Sequence, residues 1–292
     1  MATTNSITTT YVGKDSGAFI SPVLKSGLTL GNPNVTIHNN VNYKSRITAL
    51  ALESLIAAST CDFDPTGTIT QTEVWLAVKK LEVNLQLCKD DYYLDFIGEN
   101  TGAWGSLNNG AFLRYLTAQI GAHVGDAMET MYWQGVDGVA AFDGIETLLS
   151  TPDVVATPTA ETIIADMRAT SAAANINSIG KSDFYYYLSS ANYNLFMQAS
   201  ADKFAGAAAC GEGCVQLDGI QVKLSPGMSA TAIVASQASN LHFGTWISSD
   251  LNRISLIDQE PLDGSNNMNF VMKFFAGAQI GYRTEVGYSA AA

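Results

Sequence analysis

With 292 residues, 47% of them hydrophobic, the chain can build one elaborate domain or two small ones around a real core. Only 14% of its residues are charged, against about 25% in an ordinary soluble domain, which leaves much uncharged surface and suits large protein–protein contacts. A net charge of −12 argues against a phosphate-gripping protein and four cysteines against a disulfide scaffold, while the N-terminus lacks a signal-peptide pattern and no apolar run nears the ~18 residues of a membrane helix.

Residues 1–34 are rich in Thr, Ser, Gly and Asn, with Pro22 and Pro33, and show no helical period. They read as an extended arm laid on another surface, for which a neighbouring subunit is the natural candidate. Residues 34–38 read as a short strand. Residues 41–47 read as a second strand or as the opening of a helix, since Ile47, Leu50, Ala51, Leu55 and Ile56 keep helical spacing up to Ser59. Residues 61–73 are turn-rich. In residues 80–88, Leu81, Val83, Leu85 and Leu87 alternate with Glu82, Asn84 and Gln86, which predicts a half-buried strand. A glycine-rich connection, residues 98–110, follows.

Residues 109–133 contain no proline and repeat Phe112, Leu116, Ile120, Val124, Met128 and Tyr132, with Leu113, Ala127 and Met131 beside them. This spacing predicts one buried face of a helix roughly 36 Å long. Asn109 suits its start, and Gly135 and Gly138 its end. Gly121 and Gly125 lie one turn apart inside it. Each costs a helix interior roughly 1 kcal/mol, so another element is expected to approach closely there. His123, on the same helix, is expected to be packed and hydrogen-bonded.

Residues 135–144 read as a loop, and 147–158 carry two prolines. A helix is predicted over 160–174, with Thr159 as cap, Ile163, Ile164 and Met167 inward, and Asp166 and Arg168 outward. An aromatic strand follows at 184–188, then a helix over 191–199 capped by Ser189 or Ser190. Residues 205–214 are small and read as flexible, and 218–224 as a strand entered through Gly219. Residues 150–235 thus alternate helix and strand, as an α/β or α+β module does. Residues 230–235 and 240–245 read as short strands or loops and 253–256 as a short strand, followed by a turn at 262–267 and two last strands at 268–276 and 278–282.

The sharpest local pattern is DFDPTGTITQTE, in which Asp62, Asp64, Thr66, Gly67, Thr68, Thr70 and Glu73 fall on calcium-loop positions. Thr66 replaces a stronger ligand, Pro65 stiffens the loop, and the exit soon alternates like a strand. The passage therefore reads rather as a polar hairpin turn, with Asp62, Asp64, Thr66, Thr68 and Glu73 as the calcium candidates. Residues 175–182, NINSIGKS, approach a phosphate-binding loop but lack its first glycine and run into a strand. Cys210 and Cys214 sit in CGEGC, where a metal site would need more ligands than the sequence places nearby. Cys61 and Cys88 flank the turn passage. Each of the four is a disulfide candidate, with free thiols as the plainer alternative for Cys61 and Cys88. His38, His123 and His242 form no catalytic pattern, and Asp258, Glu260 and Asp263 read as a charged turn around Pro261. No enzyme, cofactor or resident metal is expected.

Residues 240–288 carry a Phe243–Gly244–Thr245 phrase, a polar turn, a strand and a Gly277–Ala278–Gln279–Ile280–Gly281 strand. This stretch resembles the end of a tailed-phage major capsid protein of the Hong Kong 97 type. KKLEVNLQLC, residues 79–88, resembles a phrase in capsid proteins of phages infecting Bacteroidota. Residues 189–192 with their following helix, and then 219–222, resemble that family's axial domain. The likeness covers residues 75–288, in order.

The resemblance implies an α+β Hong Kong 97-like fold: an N-terminal arm (1–34), an extended loop region (35–98), a peripheral domain with a spine helix (99–146) completed by C-terminal strands (240–292), and an axial domain (147–239). It implies a structural protein that self-assembles as pentamers and hexamers into an icosahedral head. The head encloses double-stranded DNA without sequence-specific contact and is built in the host bacterial cytoplasm. Many members carry an N-terminal scaffolding region. None precedes this short arm, so a separate scaffolding protein is expected beside a portal and, in some heads, a decoration protein. Some members crosslink Lys to Asn, for which Lys79, Lys80 and Asn266 are candidates by region. The alternatives are an encapsulin-type shell and another virion component such as a tail tube.

Overall fold

The computed structural model describes residues 9–12, 28–31, 34–41, 43–53, 68–88, 110–138, 142–174, 179–204, 209–211, 214–246 and 253–291. Its elements up to the long helix are β1 (Thr9–Val12), α1 (Leu28–Gly31), β2 (Thr36–Asn39), β3 (Lys44–Glu53), β4 (Thr68–Ala77), β5 (Lys79–Cys88) and α2 (Gly110–Gln134). Then come α3 (Ile145–Leu149), β6 (Val154–Val155), α4 (Ile163–Ala173), β7 (Phe184–Leu188), α5 (Ser190–Phe204), β8 (Ala209–Gly211), β9 (Cys214–Leu217) and β10 (Ile220–Leu224). The chain closes with β11 (Ile233–Gln237), β12 (Leu241–Thr245), β13 (Arg253–Asp258), α6 (Glu260–Asp263), β14 (Asn267–Ile280) and β15 (Gly287–Ala290).

The first sheet is organised by β14, which spans 14 residues and alternates buried with half-buried positions. Met268, Phe270, Met272, Phe274 and Ala276 form its buried row. Val124, Met128, Tyr132 and Trp133 of α2 share one core with that row, so the predicted helix face meets this sheet. Fully burying such side chains contributes about 1.5–3 kcal/mol each. The strand order is β1-β13-β14-β12-β2, with β5 also paired to β14.

The second sheet has seven strands in the order β6-β15-β11-β7-β10-β9-β8. Successive residues of β7 point to opposite faces: Tyr186 and Leu188 join the core under α4 and α5, while Tyr187 joins the core of the first sheet. With both faces covered, FYYYL reads as a continuous apolar run rather than an alternation. Asp218 and Gly219, at φ 52° and 82°, make the two-residue turn between β9 and β10. Both positions need φ > 0, which an Asp-Gly pair supplies.

The long helix, β5, α4, β7, β11, β12 and β13 stand where the sequence places them, within a few residues. Ser189 is the cap of α5, its Oγ accepting the Asn192 N–H at 3.2 Å. Other expectations are corrected. Residues 44–53 form a strand and not the start of a helix, because ten residues of β3 pair with ten of β4 and that ladder overrides the helical spacing. The rest of that predicted helix lies outside the described residues, as do residues 98–109 of the glycine-rich connection, Asn109 among them, and the side chains of Phe112, Leu113 and Leu116. Residues 209–211 and 214–217 are hydrogen-bonded strands rather than a flexible passage. The two expected final strands are one, running through Gly277. His123 and Ala127 lie on the exposed side of α2. Leu85, placed on the inner face of β5 by its alternation, is 39% exposed. Of residues 1–34, β1 pairs with β13 of the same chain, and Leu30 is fully buried in the main core.

Candidate assembly surfaces

The most distinctive surface is the ribbon of β3 and β4, a two-stranded sheet of its own. Strand period two puts Ile69, Gln71, Glu73 and Trp75 on one face. Ile69 is 67% exposed and Trp75 51%, and Tyr43 at the start of the ribbon is 70% exposed. Two strands alone are marginally stable in water, so a long ribbon with bare apolar side chains is suited to lie against another surface. The Arg46–Glu73 ion pair, 2.8 Å, crosses the ribbon but is solvent-exposed and contributes at most about 1 kcal/mol.

At its root the ribbon is clamped to the first sheet. Leu76, Val78 and Val41 form a small core with Ile47 and Phe275 packed on it. Two glycines make room for that approach. A Cβ on Gly277 would stand 2.2 Å from the Ala77 carbonyl oxygen, and one on Gly244 would stand 3.0 Å from Leu76 and Val78 side-chain carbons. Gln279 Nε2 donates to the Trp75 carbonyl at 2.9 Å, and the Val78 N–H to the Tyr43 carbonyl at 3.2 Å. The glycines of the GAQIG phrase thus have a packing reason: Gly281 likewise sits against Asn240 Oδ1, where a Cβ would come to 2.7 Å.

Two polar clusters went unnoticed in the sequence because their members are far apart in it. His38 on β2 and His242 on β12 meet with Nε2 and Nδ1 3.0 Å apart. Burial lowers the basicity of both, and that of His242 falls to about 4, with the His38 charge as a second cause. The other cluster centres on Glu129, only 3% exposed on α2. Its carboxylate accepts the Thr29 N–H, and burial raises its pKa against that hydrogen bond's pull. Trp133 Nε1 donates to Thr29 Oγ1, which in turn bonds Ser225 Oγ.

Some of the sequence-predicted site residues lie among the described residues and others do not. Thr68 and Glu73 lie in β4, opposite Glu53 and Thr48, and Glu73 accepts from Arg46. Asp62, Asp64 and Thr66 lie outside the described residues, as does Cys61. Cys88 is a free, half-buried thiol at the end of β5. Cys210 and Cys214 lie in the paired strands β8 and β9. Lys79 is ion-paired to Asp137. It stands opposite Ala276, whereas Asn266 precedes the other end of β14, where Asn267 faces Cys88. At ~3.3 Å per residue about 30 Å separates Lys79 from Asn266, so a bond between them would join two copies. Among the described residues no group of three or more His, Cys, Asp or Glu is placed to hold a metal ion, and no helix is long and apolar enough to cross a membrane.

No family model matches the chain, and no curated protein does. Solved structures do. The satellite phage P4 procapsid with its size-determination (Sid) protein superposes with a TM-score of 0.60 at 12% identity, over 94% of this chain and 98% of that one. A structure of Mycobacterium phage Ogopogo gives 0.60 at 13%, over 91% and 92%. The capsid of a native GTA particle gives 0.57 at 15%, over 88% of each chain. At such identities the likeness is one of fold, and it runs nearly end to end: the mixed α+β architecture of this chain is that of phage capsid subunits.

Proposed function

We propose that this protein is the major capsid protein of a tailed bacteriophage, assembling as pentamers and hexamers into the icosahedral head that encloses double-stranded DNA. The observation that carries the reading is the extent of the fold match, 88–94% of this chain against capsid subunits of similar length. Low charge and an exposed apolar ribbon support it, since a shell repeats every contact by symmetry. We read the layout as Hong Kong 97-like. The arm is residues 1–34 and the extended loop region is 35–98, with the β3–β4 ribbon as its projecting part. The peripheral domain is 99–146 with the C-terminal strands of 240–292, and the axial domain is 147–239. Because β15 pairs with β11 and β6, residues 287–290 belong on this reading with the axial sheet. The ribbon lies over an adjacent subunit, and a separate scaffolding protein and a portal act in assembly. The role is structural rather than enzymatic.

Electron microscopy of the protein expressed with its neighbouring head genes tests this. Closed shells with five-fold and six-fold capsomers, holding nuclease-protected DNA when made during infection, are the expected result. Shells that enclose a protein cargo and never DNA would favour the encapsulin alternative, and stacked rings a tail tube. Monomers under every condition, scaffold included, would sink the proposal.

A further inference from the structure

His38 and His242 face each other across the parallel pairing of β2 and β12, with Nε2 and Nδ1 3.0 Å apart and ring centroids 5.1 Å apart. A bond between two imidazole nitrogens needs one N–H and one lone pair. The pair therefore holds when both rings are neutral. It also holds with one added proton, carried on an outer nitrogen. With both rings protonated it fails, because two N–H groups then meet head-on and both rings are cationic.

Position gives this chemistry a consequence. β2 is an edge strand of only four residues. It leads through Asn40, at φ 68°, and Val41 into the ribbon strand β3. The rings therefore reinforce the short strand that feeds the ribbon. His242 also lines an open cleft of about 570 Å³ beside the ribbon root, through which water and protons reach it.

We propose that His38 and His242 form an acid-opened clasp: when both rings are protonated, β2 parts from β12 and the ribbon is freed to swing about its root. The other titratable residues lining the cleft are Lys181, from the turn before β7, and Tyr282 and Glu285, which follow β14. The two residues of β3 that line it, Ile47 and Thr48, carry no charge. Lys181 points its ammonium at Gln237 Oε1, 3.4 Å away. Glu285 offers partial compensation from one wall. The two histidines titrate as a unit. An unfolded histidine protonates near pH 6.5, while His242 in the fold resists to about 4. Between those values the unfolded or opened chain binds more protons, so the closed clasp loses stability as pH falls.

Hydrogen exchange of the wild-type protein, corrected for intrinsic rate and followed from pH 7 to pH 4, tests the clasp. The β13–β14 segment serves as internal reference for global unfolding. The expected result is a tenfold or greater loss of protection in residues 36–41 between pH 6 and 4 with the reference unchanged. His38→Gln, which leaves one titratable ring and removes the ring-to-ring clash, should shrink that acid response severalfold, leaving only the part due to burial of the remaining ring; His242→Gln should do the same if the first variant does not fold. Protection in 36–41 that stays constant down to pH 4 would overturn the proposal. So would an acid loss of equal size in either folded glutamine variant. None of these outcomes depends on whether the protein forms a shell.

Discussion

The carboxylate of Glu129 holds the backbone N–H of Thr29 at 3.1 and 3.2 Å to its two oxygens, joining residues 100 positions apart inside the core. This contact ties α1 to the long helix. Removing the acceptor leaves a buried donor unsatisfied, which costs about 1–3 kcal/mol; Glu129→Ala, which also opens a cavity, should lower subunit stability by roughly 2–4 kcal/mol. Denaturant midpoints on unassembled subunit measure this. Glu129→Gln keeps an acceptor without a buried charge and should stay within about 1 kcal/mol of wild type at neutral pH. The pH dependence has a definite sign. Burial raises the folded pKa of Glu129. Its contribution is therefore most favourable below the unfolded pKa and is lost as pH rises through the folded one. Wild type should lose stability relative to the Gln variant over that window; parallel curves would show that this carboxylate does not titrate in the fold.

How much of this was legible in the sequence depended on the range of the forces involved. The long helix and β5 carry their own periodicity, β7 its aromatic run, and all three appeared nearly whole. β3 was ambiguous, since Ile47, Leu50 and Ala51 fit a helix as well as a strand and only pairing with β4, some twenty residues on, decides. β15 is four residues of small and aromatic side chains whose strand character comes entirely from β11 and β6. The His38–His242 and Glu129–Thr29 contacts span 204 and 100 positions. Neither has a local signature, because a lone His or Glu in an apolar context says nothing of its partner. The ribbon root had one visible signal, the glycines of GAQIG, without any indication of what approached them.

Gly277→Ala tests that root directly. The added Cβ would stand 2.2 Å from the Ala77 carbonyl oxygen and 3.1 Å from Val78 Cα. Both are backbone atoms, so the junction of β4 and β5 must shift bodily. Overpacking of this kind costs about 1–3 kcal/mol. A lowered melting temperature with faster exchange in residues 74–80 is the expected result, and wild-type values for both would contradict the close packing.

Gly125, buried on the long helix, offers the same test on the other side of the core. Gly125→Leu gains up to roughly 1 kcal/mol of helix propensity against about 1–3 kcal/mol of overpacking. The steric effect should win, giving soluble protein that assembles poorly. Unchanged melting and normal particles would mean that the helix tolerates a side chain there.

Arg168 grips Asp218 with two bonds, 2.7 and 3.0 Å, at the turn between β9 and β10. The guanidinium lowers the Asp218 pKa, so the pair's contribution is present above the usual carboxylate range and lost as pH falls through the folded value. Both side chains are about half exposed, so solvent screens the pair and its contribution is small. Asp218→Asn keeps a residue tolerant of the left-handed backbone and should be nearly silent in 1 M salt. Asp218→Val, β-branched at φ 52°, should cost about 1–3 kcal/mol at any salt. Equal losses in both variants would place the effect in the charge rather than in the turn.

Trp75 and Leu76 are neighbours in β4 with opposite surroundings, and they separate folding from assembly. Leu76 is fully buried at the ribbon root, whereas Trp75 is half exposed. Leu76→Ala removes core volume and should destabilise the unassembled subunit by about 2–5 kcal/mol. Ile69→Ser removes little buried surface within the subunit, and its denaturant midpoint should move by less than the equivalent of about 0.5 kcal/mol; Trp75→Ala also strips the covered half of a large ring and should cost the subunit no more than about 1–2 kcal/mol. If the ribbon packs on an adjacent copy, those side chains are buried there. A buried aromatic anchor contributes about 2 kcal/mol or more to an interface, close to a thirtyfold change for each contact. Because a shell repeats the contact in every subunit, Trp75→Ala should raise the concentration needed for assembly by more than tenfold while leaving the monomer intact. Light scattering across a dilution series measures it. Assembly at the wild-type concentration by both Trp75→Ala and Ile69→Ser would show that this face of the ribbon stays in solvent, and the inter-subunit role would have to pass to its other face.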